Sequence, residues 1–340
     1  MVATHRIVNH LRWYSSVASS LEMPTKIFSN HHLLVINKPA GWRSIPSHNG
    51  PLFATGSCSK KCLLSHLKRK GLGGGSNNDF LLPVHRLDQP CTGVLALAKN
   101  SKAASRVQKA WARGQVLKEY LCVIESPVNG LRNRSIALSE LEGLLSRCGE
   151  DVAKQKCVLN KSFDQTWGKL SWEDEKENVF VISGRIRRSS GGGRGSVQAM
   201  PVDMRSELLI GPTGTTVRGT DSRICHLQCR HVGSFPDLRS NRRGTVAGKV
   251  HLIAVRTSTG ARHQVRALLS AVGGSPIVGD LRYGANGPAM PDQSVALHAR
   301  SLFMPSVRLG GTDLSSAPFD APIPPCWEDY FGLREKDLQQ

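Results

Sequence analysis

The sequence predicts a domain that combines β-strands with α-helices, and three observations carry this prediction. Apolar runs of strand length occur at 33–36 and 94–98. A third candidate strand, 249–256, alternates apolar and polar side chains with the two-residue period of a pleated strand. Amphipathic helical patterns follow Asn100 and Gln264. These elements fit a domain of mixed class but do not single out one topology.

Composition and charge restrict the classes of function. The chain has 340 residues, of which 39% are hydrophobic, enough for a substantial core. No window approaches the run of about 18 apolar residues that a spanning helix needs, so we expect no membrane partner. Lysine and arginine number 45 against 26 acidic residues, a formal net charge of +19. This excess favours nucleic acid as a partner, although a basic protein docked on a ribosome for structural reasons would share it.

The N-terminus has the composition of a mitochondrial targeting segment. Its first 21 residues contain no acid, carry Arg6 and Arg12, and are rich in serine. The tetrapeptide 12–15 resembles a matrix-peptidase site with cleavage after Tyr14; the alternative is a disordered basic tail. We predict a leader over 1–24, one domain over 25–330, a C-terminal tail over 331–340, and location in the mitochondrial matrix.

The first strand, from Leu33, runs into the turn Asn37-Lys38-Pro39-Ala40-Gly41. Lys38 could contact a phosphate there, although a solvated lysine in a turn is the ordinary interpretation. Leu63, Leu64 and Leu67 then predict a short basic helix, followed by a glycine-rich linker at 71–78. That linker is not a phosphate-binding loop, because no Gly-Lys-Ser/Thr follows it.

The stretch from His85 to Lys99, HRLDQPCTGVLALAK, carries the most distinctive chemistry. Asp88 lies in a turn beside Arg86 and precedes a buried apolar strand. Flanking cations favour the ionised carboxylate, which suits a nucleophile better than a general acid. The alternative is an ordinary turn aspartate that pairs with Arg86.

After this stretch, Asn100 or Ser101 should cap a helix that Gly114 ends, and 116–124 should form a strand. Residues 127–246 are less regular. They contain a possible capping box at Ser139 and a strand at 179–182. Arg185, Arg187, Arg188 and the glycine-rich loop at 189–196 then form a basic stretch, either an RNA path or a disordered surface loop. The strand at 249–256 then leads into a helix on which Arg266 alone would be read as a surface residue.

The chain has nine cysteines and no secretory signal, so we expect mostly reduced thiols. Two clusters combine cysteine with histidine, but neither has the usual spacing of a zinc site, and we predict no metal. Their members are Cys58, Cys62 and His66 in the first, and Cys225, His226, Cys229 and His231 in the second.

Three ordered motifs together resemble those of the RluA-type RNA pseudouridine synthases. They are the His-Arg-Leu-Asp stretch that ends at Asp88, the Lys-x-Tyr-Leu around Tyr120, and a Thr-Gly-x-Arg-His-Gln-Val-Arg segment that ends at Arg266. Departures from the family pattern are Cys91 and Thr92 in place of Thr and Ser, and Ala261 where a basic residue is usual. The spacing implies insertions around 47–79 and 130–246.

The resemblance implies an α+β fold with a mixed, mostly antiparallel sheet, flanking helices and a central cleft. It also implies site roles: Asp88 as nucleophile, Tyr120 stacked on a flipped uracil and a candidate base, and Arg266 paired with Asp88. Arg86 would fill the gap left by the flipped base. Further RNA contacts are expected from His85, Lys38, Arg262 and His263. The reaction would require no cofactor and no metal.

The implied function is isomerisation of uridine to pseudouridine, and the leader points to mitochondrial rRNA or tRNA as the substrate. A precursor of the large ribosomal subunit is a further candidate partner, and we expect a monomer. One alternative is an RNA-binding assembly factor that kept the fold and lost the chemistry. Another is a glycoside or nucleoside hydrolase, which would need a second carboxylate that the motifs do not supply.

Overall fold

The computed structural model describes residues 22–46, 62–75, 79–125, 179–188, 197–201, 222–239, 248–271, 273–286, 289–305, 307–310, 312–314 and 317–338. Several predictions lie outside these ranges: the leader with its cleavage site, Cys58, the capping box at Ser139, and the loop at 189–196.

Most of the described chain forms strands. They are β1 (Thr25–Ser29), β2 (Leu33–Lys38), β3 (Leu82–Pro83), β4 (Thr92–Ala98), β5 (Leu117–Ile124), β6 (Val179–Arg188), β7 (Val197–Pro201), β8 (Ser222–Pro236), β9 (Lys249–Thr257), β10 (Leu297–Phe303), β11 (Arg308–Leu309), β12 (Thr312–Asp313) and β13 (Phe319–Asp320). The helices are α1 (Leu63–Arg69), α2 (Ser101–Ala112), α3 (Gln264–Ala271) and α4 (Cys326–Phe331), with 3-10 turns at Leu281–Tyr283 and Glu335–Leu338.

The main sheet has the order β1-β2-β4-β10-β5-β9-β8-β6-β7, with β3 paired to β4 and β13 to β10. Strands β4 and β10 are parallel, and the other pairs in the described part of the sheet are antiparallel. The predicted mixed, mostly antiparallel sheet is therefore confirmed. Strands β6, β7 and β8 come from the region predicted to hold an insertion, and they extend the sheet beyond β9.

Helices cover both faces of the sheet because β2 and β4 are apolar on both sides. Leu33 and Val35 face the cluster that contains the apolar stripe of α2, whereas Leu34 and Ile36 face the cluster that contains α1. Helix α2 begins as predicted, because the Asn100 side chain accepts a hydrogen bond from the Ala103 backbone N–H at 2.8 Å. The two apolar faces of β2 and the cap of α2 both arise from residues close together in the chain, and both form as the sequence predicts.

The strand predicted over 179–182 is longer than expected. It continues through Arg185 and Arg187 to Arg188 as β6. Phe331, Leu333 and Leu338, which lie in the segment predicted as a C-terminal tail, are buried in the main core. Helix α4 and the following turn therefore belong to the domain. Within the described part of the chain, no helix has the length and apolar character needed to cross a bilayer.

Strand β4 approaches β10 so closely that Gly93 is required. Its φ is +111°, and a Cβ there would lie 2.2 Å from the backbone oxygen of Ala299. We expect Gly93→Ala to lower the free energy of unfolding by roughly 3 kcal/mol or more, because backbone rather than a movable side chain occupies the space.

Gly114→Ala is the matched control for Gly93→Ala. Gly114 also has a positive φ, +68°, but a Cβ at Gly114 would meet no atom within 4 Å. Chemical denaturation should show a loss of about 1 kcal/mol for this variant. Equal losses at the two glycines would contradict the close approach of β4 and β10.

Candidate active site

A cleft of about 840 Å³ crosses the face of the sheet at β4, β5 and β10. It is lined by parts of all three sequence motifs, so the fold brings together segments that lie up to about 180 residues apart in the chain. Asp88 is the only carboxylate among the described residues that line this cleft. The basic side chains that line the cleft are those of Arg43, His85, Arg86, Lys118, Arg262, His263, Arg266 and Arg282.

Asp88 and Arg266 are paired, as the resemblance implied. The Arg266 Nη1 atom donates a hydrogen bond to Asp88 Oδ2 at 2.9 Å. The Asp88 side chain is 26% exposed, and that of Arg266 is 6% exposed. The pair therefore presents one partly accessible carboxylate to the cleft while its cation stays inside. Arg266 is not the surface arginine that its helix pattern alone suggested.

Arg266 has a second partner that the sequence analysis did not assign. Its Nε and Nη2 atoms donate to the two carboxylate oxygens of Asp280, each at 2.7 Å. Burial opposes the charge on Arg266, but the hydrogen bonds to Asp280 and the charges of Cys91, Asp280 and Asp88 raise its pKa above the ordinary value. Asp280 is 1% exposed, lies outside the three motifs and does not line the cleft, so it does not face Asp88 as a second catalytic carboxylate.

His263 contacts the other oxygen of Asp88 and is not a surface residue. Its Nε2 atom is 3.4 Å from Asp88 Oδ1, and its Nδ1 atom is 2.9 Å from the Tyr283 hydroxyl. Burial lowers the pKa of His263 to about 4, an effect that Asp88 opposes, so its imidazole is neutral at pH 7. The backbone of His263 has φ +54°, which a non-glycine residue seldom adopts. His263 therefore contacts Asp88, and because it also lines the cleft, the RNA contact predicted for it stays a prediction.

Tyr120 lines the cleft from β5, and it pairs across the sheet with Ala299 on one side and Val255 on the other. Burial raises the pKa of the Tyr120 hydroxyl above its ordinary value, and the nearby charges of Cys91 and Asp88 add to this. The hydroxyl thus keeps its proton at neutral pH. This supports the predicted stacking role better than the predicted role as a base.

Lys38 does not face the solvent, so the prediction that it contacts RNA is wrong. Its side chain is fully buried. Its Nζ atom donates to the backbone oxygens of Pro39 at 2.9 Å, Trp42 at 3.0 Å and Gln89 at 3.3 Å. Burial lowers the pKa of Lys38 to about 8. Lys38 therefore joins the turn after β2 to the residue that follows Asp88.

Further hydrogen bonds hold the same turn against the loop of Asp88. Gly41 N donates to Gln89 O at 2.8 Å, and Gln89 Nε2 donates to Gly41 O at 3.1 Å. Ser44 bonds both backbone groups of Leu87: its hydroxyl donates to the oxygen at 2.7 Å and accepts from the N–H at 3.1 Å. The residues on both sides of Asp88 are fixed, which restricts where its carboxylate points.

The other predicted RNA contacts divide into two kinds. His85 is half-buried; its Nε2 atom accepts from the Ala96 N–H at 3.0 Å, and its ring stacks on Trp111 at 4.9 Å. It thus supports the loop, although it also borders the cleft. Arg86 and Arg262 are exposed on the rim. Sequence reasoning missed two other exposed arginines on that rim, Arg43 and Arg282, because neither lies in a motif.

Residues 32–271 match the family model described as RNA pseudouridylate synthase. The chain belongs to the RNA pseudouridylate synthase family. This match covers all three motifs and the strands that carry them, including the segment between the second and third motifs where insertions were predicted.

Curated relatives and solved structures agree with the family assignment. A mitochondrial pseudouridylate synthase of Xenopus tropicalis is 26% identical over 282 residues, which cover 81% of this chain and 65% of the relative. A tRNA pseudouridine(31) synthase of Saccharomyces cerevisiae is 31% identical over 149 residues, or 42% of this chain and 32% of the relative. The chain therefore spans about a third to two thirds of the length of these relatives.

Two human structures show the same fold. The human RNA pseudouridylate synthase domain containing 1 has a TM-score of 0.53 at 18% identity, with 92% of this chain and 88% of that chain covered. The human RNA pseudouridylate synthase domain containing 4 has a TM-score of 0.52 at 18% identity, with 95% and 99% covered. At this identity the likeness concerns the fold alone.

The three residues that depart from the family pattern lie close to the site without disturbing the pair of Asp88 and Arg266. Thr92, at the usual serine position, places its hydroxyl 2.9 Å from His298 Nδ1, and His298 Nε2 lies 3.2 Å from the oxygen of Ala321. Cys91 is buried, and burial raises the pKa of its thiol. At Ala261, the backbone N–H donates to Gln264 Oε1 at 3.0 Å. None of these residues displaces Asp88 from Arg266.

The cysteine clusters do not form metal sites in the described part of the chain, where no group of three suitable ligands occurs. Cys225 and Cys229 are buried in strand β8. Cys62 is buried at the start of α1 and accepts a hydrogen bond from the Ser65 hydroxyl at 3.3 Å.

His298 should make the stability of this family member depend on pH. Burial lowers its pKa to about 4, below the unfolded value near 6.5. Between these values the unfolded chain binds a proton that the native chain does not, so the free energy of unfolding should fall as the pH decreases from 6.5 to 4. One such group contributes at most about 1.4 kcal/mol per pH unit. Urea unfolding at pH 6.5 and pH 5 should show a smaller pH effect in His298→Gln; an unchanged effect would exclude His298 as a source.

Proposed function

We propose that this protein converts uridine to pseudouridine in RNA, with Asp88 as the nucleophile. The observation that carries the proposal is the pairing of Asp88 with Arg266 in a cleft that Asp88 shares with Tyr120. Family membership gives the reaction class, and the cleft supplies the groups that this class needs.

The reaction exchanges one bond for another. The bond between the ribose C1′ and uracil N1 breaks, the base rotates, and C1′ bonds to C5; the C5 proton is lost and N1 gains one. No electrons are transferred overall. The Asp88 carboxylate either attacks the sugar at C1′ or removes a sugar proton on a glycal path and returns it when C1′ bonds to C5, and the hydrogen bond from Arg266 holds the carboxylate in place. Tyr120, with its hydroxyl protonated, offers a flat face to the uracil.

The cleft is suited to a nucleotide drawn out of an RNA helix. Flipping a nucleotide costs a few kcal/mol and leaves a gap in the stack. Arg86 is exposed beside Asp88, where it can occupy that gap. Arg43, Arg262 and Arg282, also exposed on the rim, can neutralise the phosphates on either side of the target.

The proposed substrate is a mitochondrial rRNA or tRNA, and the proposed location is the mitochondrial matrix. Three facts support this: the acid-free first 21 residues, the mitochondrial relative in Xenopus tropicalis, and the tRNA-modifying relative in Saccharomyces cerevisiae. A precursor of the large ribosomal subunit is a further proposed partner, with the protein acting as a monomer.

Pseudouridine mapping at single-nucleotide resolution tests the function and names the substrate together. Mitochondrial rRNA and tRNA would be compared between cells that carry the intact chain and cells that carry Asp88→Ala. We expect one or more sites to disappear in the mutant cells. If no site changes while deletion of the protein impairs ribosome assembly, the protein is an RNA-binding assembly factor without this activity.

A further inference from the structure

We propose that the segment 279–284 orients the nucleophile, with Asp280 and Tyr283 as positioning residues that act on Asp88 through Arg266 and His263. This inference rests on the proposed function and extends it to residues outside the three motifs. The segment, Gly-Asp-Leu-Arg-Tyr-Gly, contains the 3-10 turn Leu281–Tyr283.

The two oxygens of Asp88 are held by two different residues. Arg266 donates to Oδ2 at 2.9 Å, and His263 Nε2 lies 3.4 Å from Oδ1. The carboxylate is thus constrained in both its position and its rotation. Because a displacement of about 1 Å can reduce a rate about 100-fold, the residues that fix Arg266 and His263 affect the chemical step.

Each of these two residues is in turn held by the segment 279–284. Asp280 accepts two hydrogen bonds from Arg266, both at 2.7 Å, in a fork geometry that fixes the guanidinium plane. The Tyr283 hydroxyl is 2.9 Å from His263 Nδ1. If that hydroxyl donates its proton, the neutral imidazole carries its own proton on Nε2, where it points at Asp88. The Tyr283 ring also lies 5.3 Å from the Arg266 guanidinium carbon.

The segment is itself anchored to the sheet. Val278 N donates to Val123 O at 2.8 Å on β5, the strand that carries Tyr120, and Ala296 N donates to Val278 O at 3.0 Å. Gly279 has φ +77°, and a Cβ there would lie 2.7 Å from Ser294 O. The positions of Asp280 and Tyr283 are therefore set by the same strand that carries Tyr120.

The same segment has an outward side that does not contact Asp88. Leu281 is 64% exposed, and Arg282 is exposed on the rim of the cleft. The inward residues Asp280 and Tyr283 should control the chemical step, whereas the exposed Leu281 should not affect it. Adjacent residues of one turn thus provide both the test variants and their controls.

The experiment measures single-turnover pseudouridine formation at saturating RNA, together with the dissociation constant for that RNA. We expect Asp280→Asn to lower the single-turnover rate about 100-fold. Tyr283→Phe keeps the ring and removes only the hydroxyl, so it should lower the rate about 10-fold, the equivalent of one hydrogen bond. RNA affinity should change less than about threefold in both variants, since each leaves the rim unchanged.

Leu281→Ala is the control in the same turn: Leu281 is 64% exposed and does not line the cleft, so this variant should react at the wild-type single-turnover rate. Asp280→Glu retains the charge and should recover part of the rate lost in Asp280→Asn. Tyr283→Phe keeps the test decisive if Asp280→Asn fails to fold. If Tyr283→Phe and Asp280→Asn both fold and both react at the wild-type rate, this inference is overturned while the proposed function stands. An inactive wild type would overturn the proposed function, and this inference with it.

Discussion

Replacement of Asp88 by alanine or asparagine should abolish pseudouridine formation while RNA binding is retained. The asparagine side chain keeps the shape of the aspartate but has neither its charge nor its nucleophilic oxygen. Because no other carboxylate among the described residues lines the cleft, no neighbouring group can take over. We expect the rate to fall by roughly 10⁴-fold or more, as for the loss of other catalytic nucleophiles.

The measurement is the single-turnover rate of the purified protein on an RNA that the wild type modifies, with binding followed in parallel. Asp79→Asn is the matched control, since Asp79 is exposed and does not line the cleft. It should react at the wild-type rate. Turnover by Asp88→Asn at the wild-type rate would show that the nucleophile has been assigned wrongly.

Arg266→Met should reduce both stability and activity, because this arginine serves two carboxylates. Asp280 is 1% exposed and would lose both of its hydrogen bonds to the guanidinium. Breaking a buried ion pair from one side costs about 3 kcal/mol or more. Asp88 would also lose its partner at 2.9 Å, and we expect a rate at least about 100-fold lower.

Chemical denaturation and single-turnover kinetics separate these two effects. The double variant Arg266→Met, Asp280→Leu removes both buried charges and should recover most of the stability but none of the activity. Arg262→Met makes the same substitution at an exposed arginine on the rim and should leave the free energy of unfolding unchanged. A stable, active Arg266→Met variant would show that the guanidinium supports neither carboxylate.

Local sequence patterns predicted most of the secondary structure near the site. The apolar run from Leu33, the cap at Asn100 and the alternation in 249–256 each depend on interactions within a few residues, and each forms as expected. The strand predicted over 179–182 was too short, because the arginines at 185–188 lack the apolar side chains that indicate a strand. Pairing with β7 and β8 makes them part of the sheet, and such pairing is set by distant residues.

Roles within the site were predicted less well than its members. Lys38 and His263 were both predicted to meet RNA. Lys38 is instead fully buried and donates to three backbone oxygens. His263 lies between Asp88 and Tyr283, a position that the sequence did not indicate, and it also lines the cleft. No role was assigned to Asp280 from the sequence, because an aspartate after a glycine carries no signal of a partner 14 residues away.

The sequence by itself determined the family resemblance, the candidate nucleophile Asp88, its partner Arg266 and the basic character of the chain. These depend on residue type, order and spacing, which are local properties. Only the tertiary structure decided which charged groups are buried and which partners they have. It placed Asp280 behind Arg266 and Tyr283 behind His263. The free energy of a charged side chain depends on its distance from other charges and from water, and both distances exist only once the chain has folded.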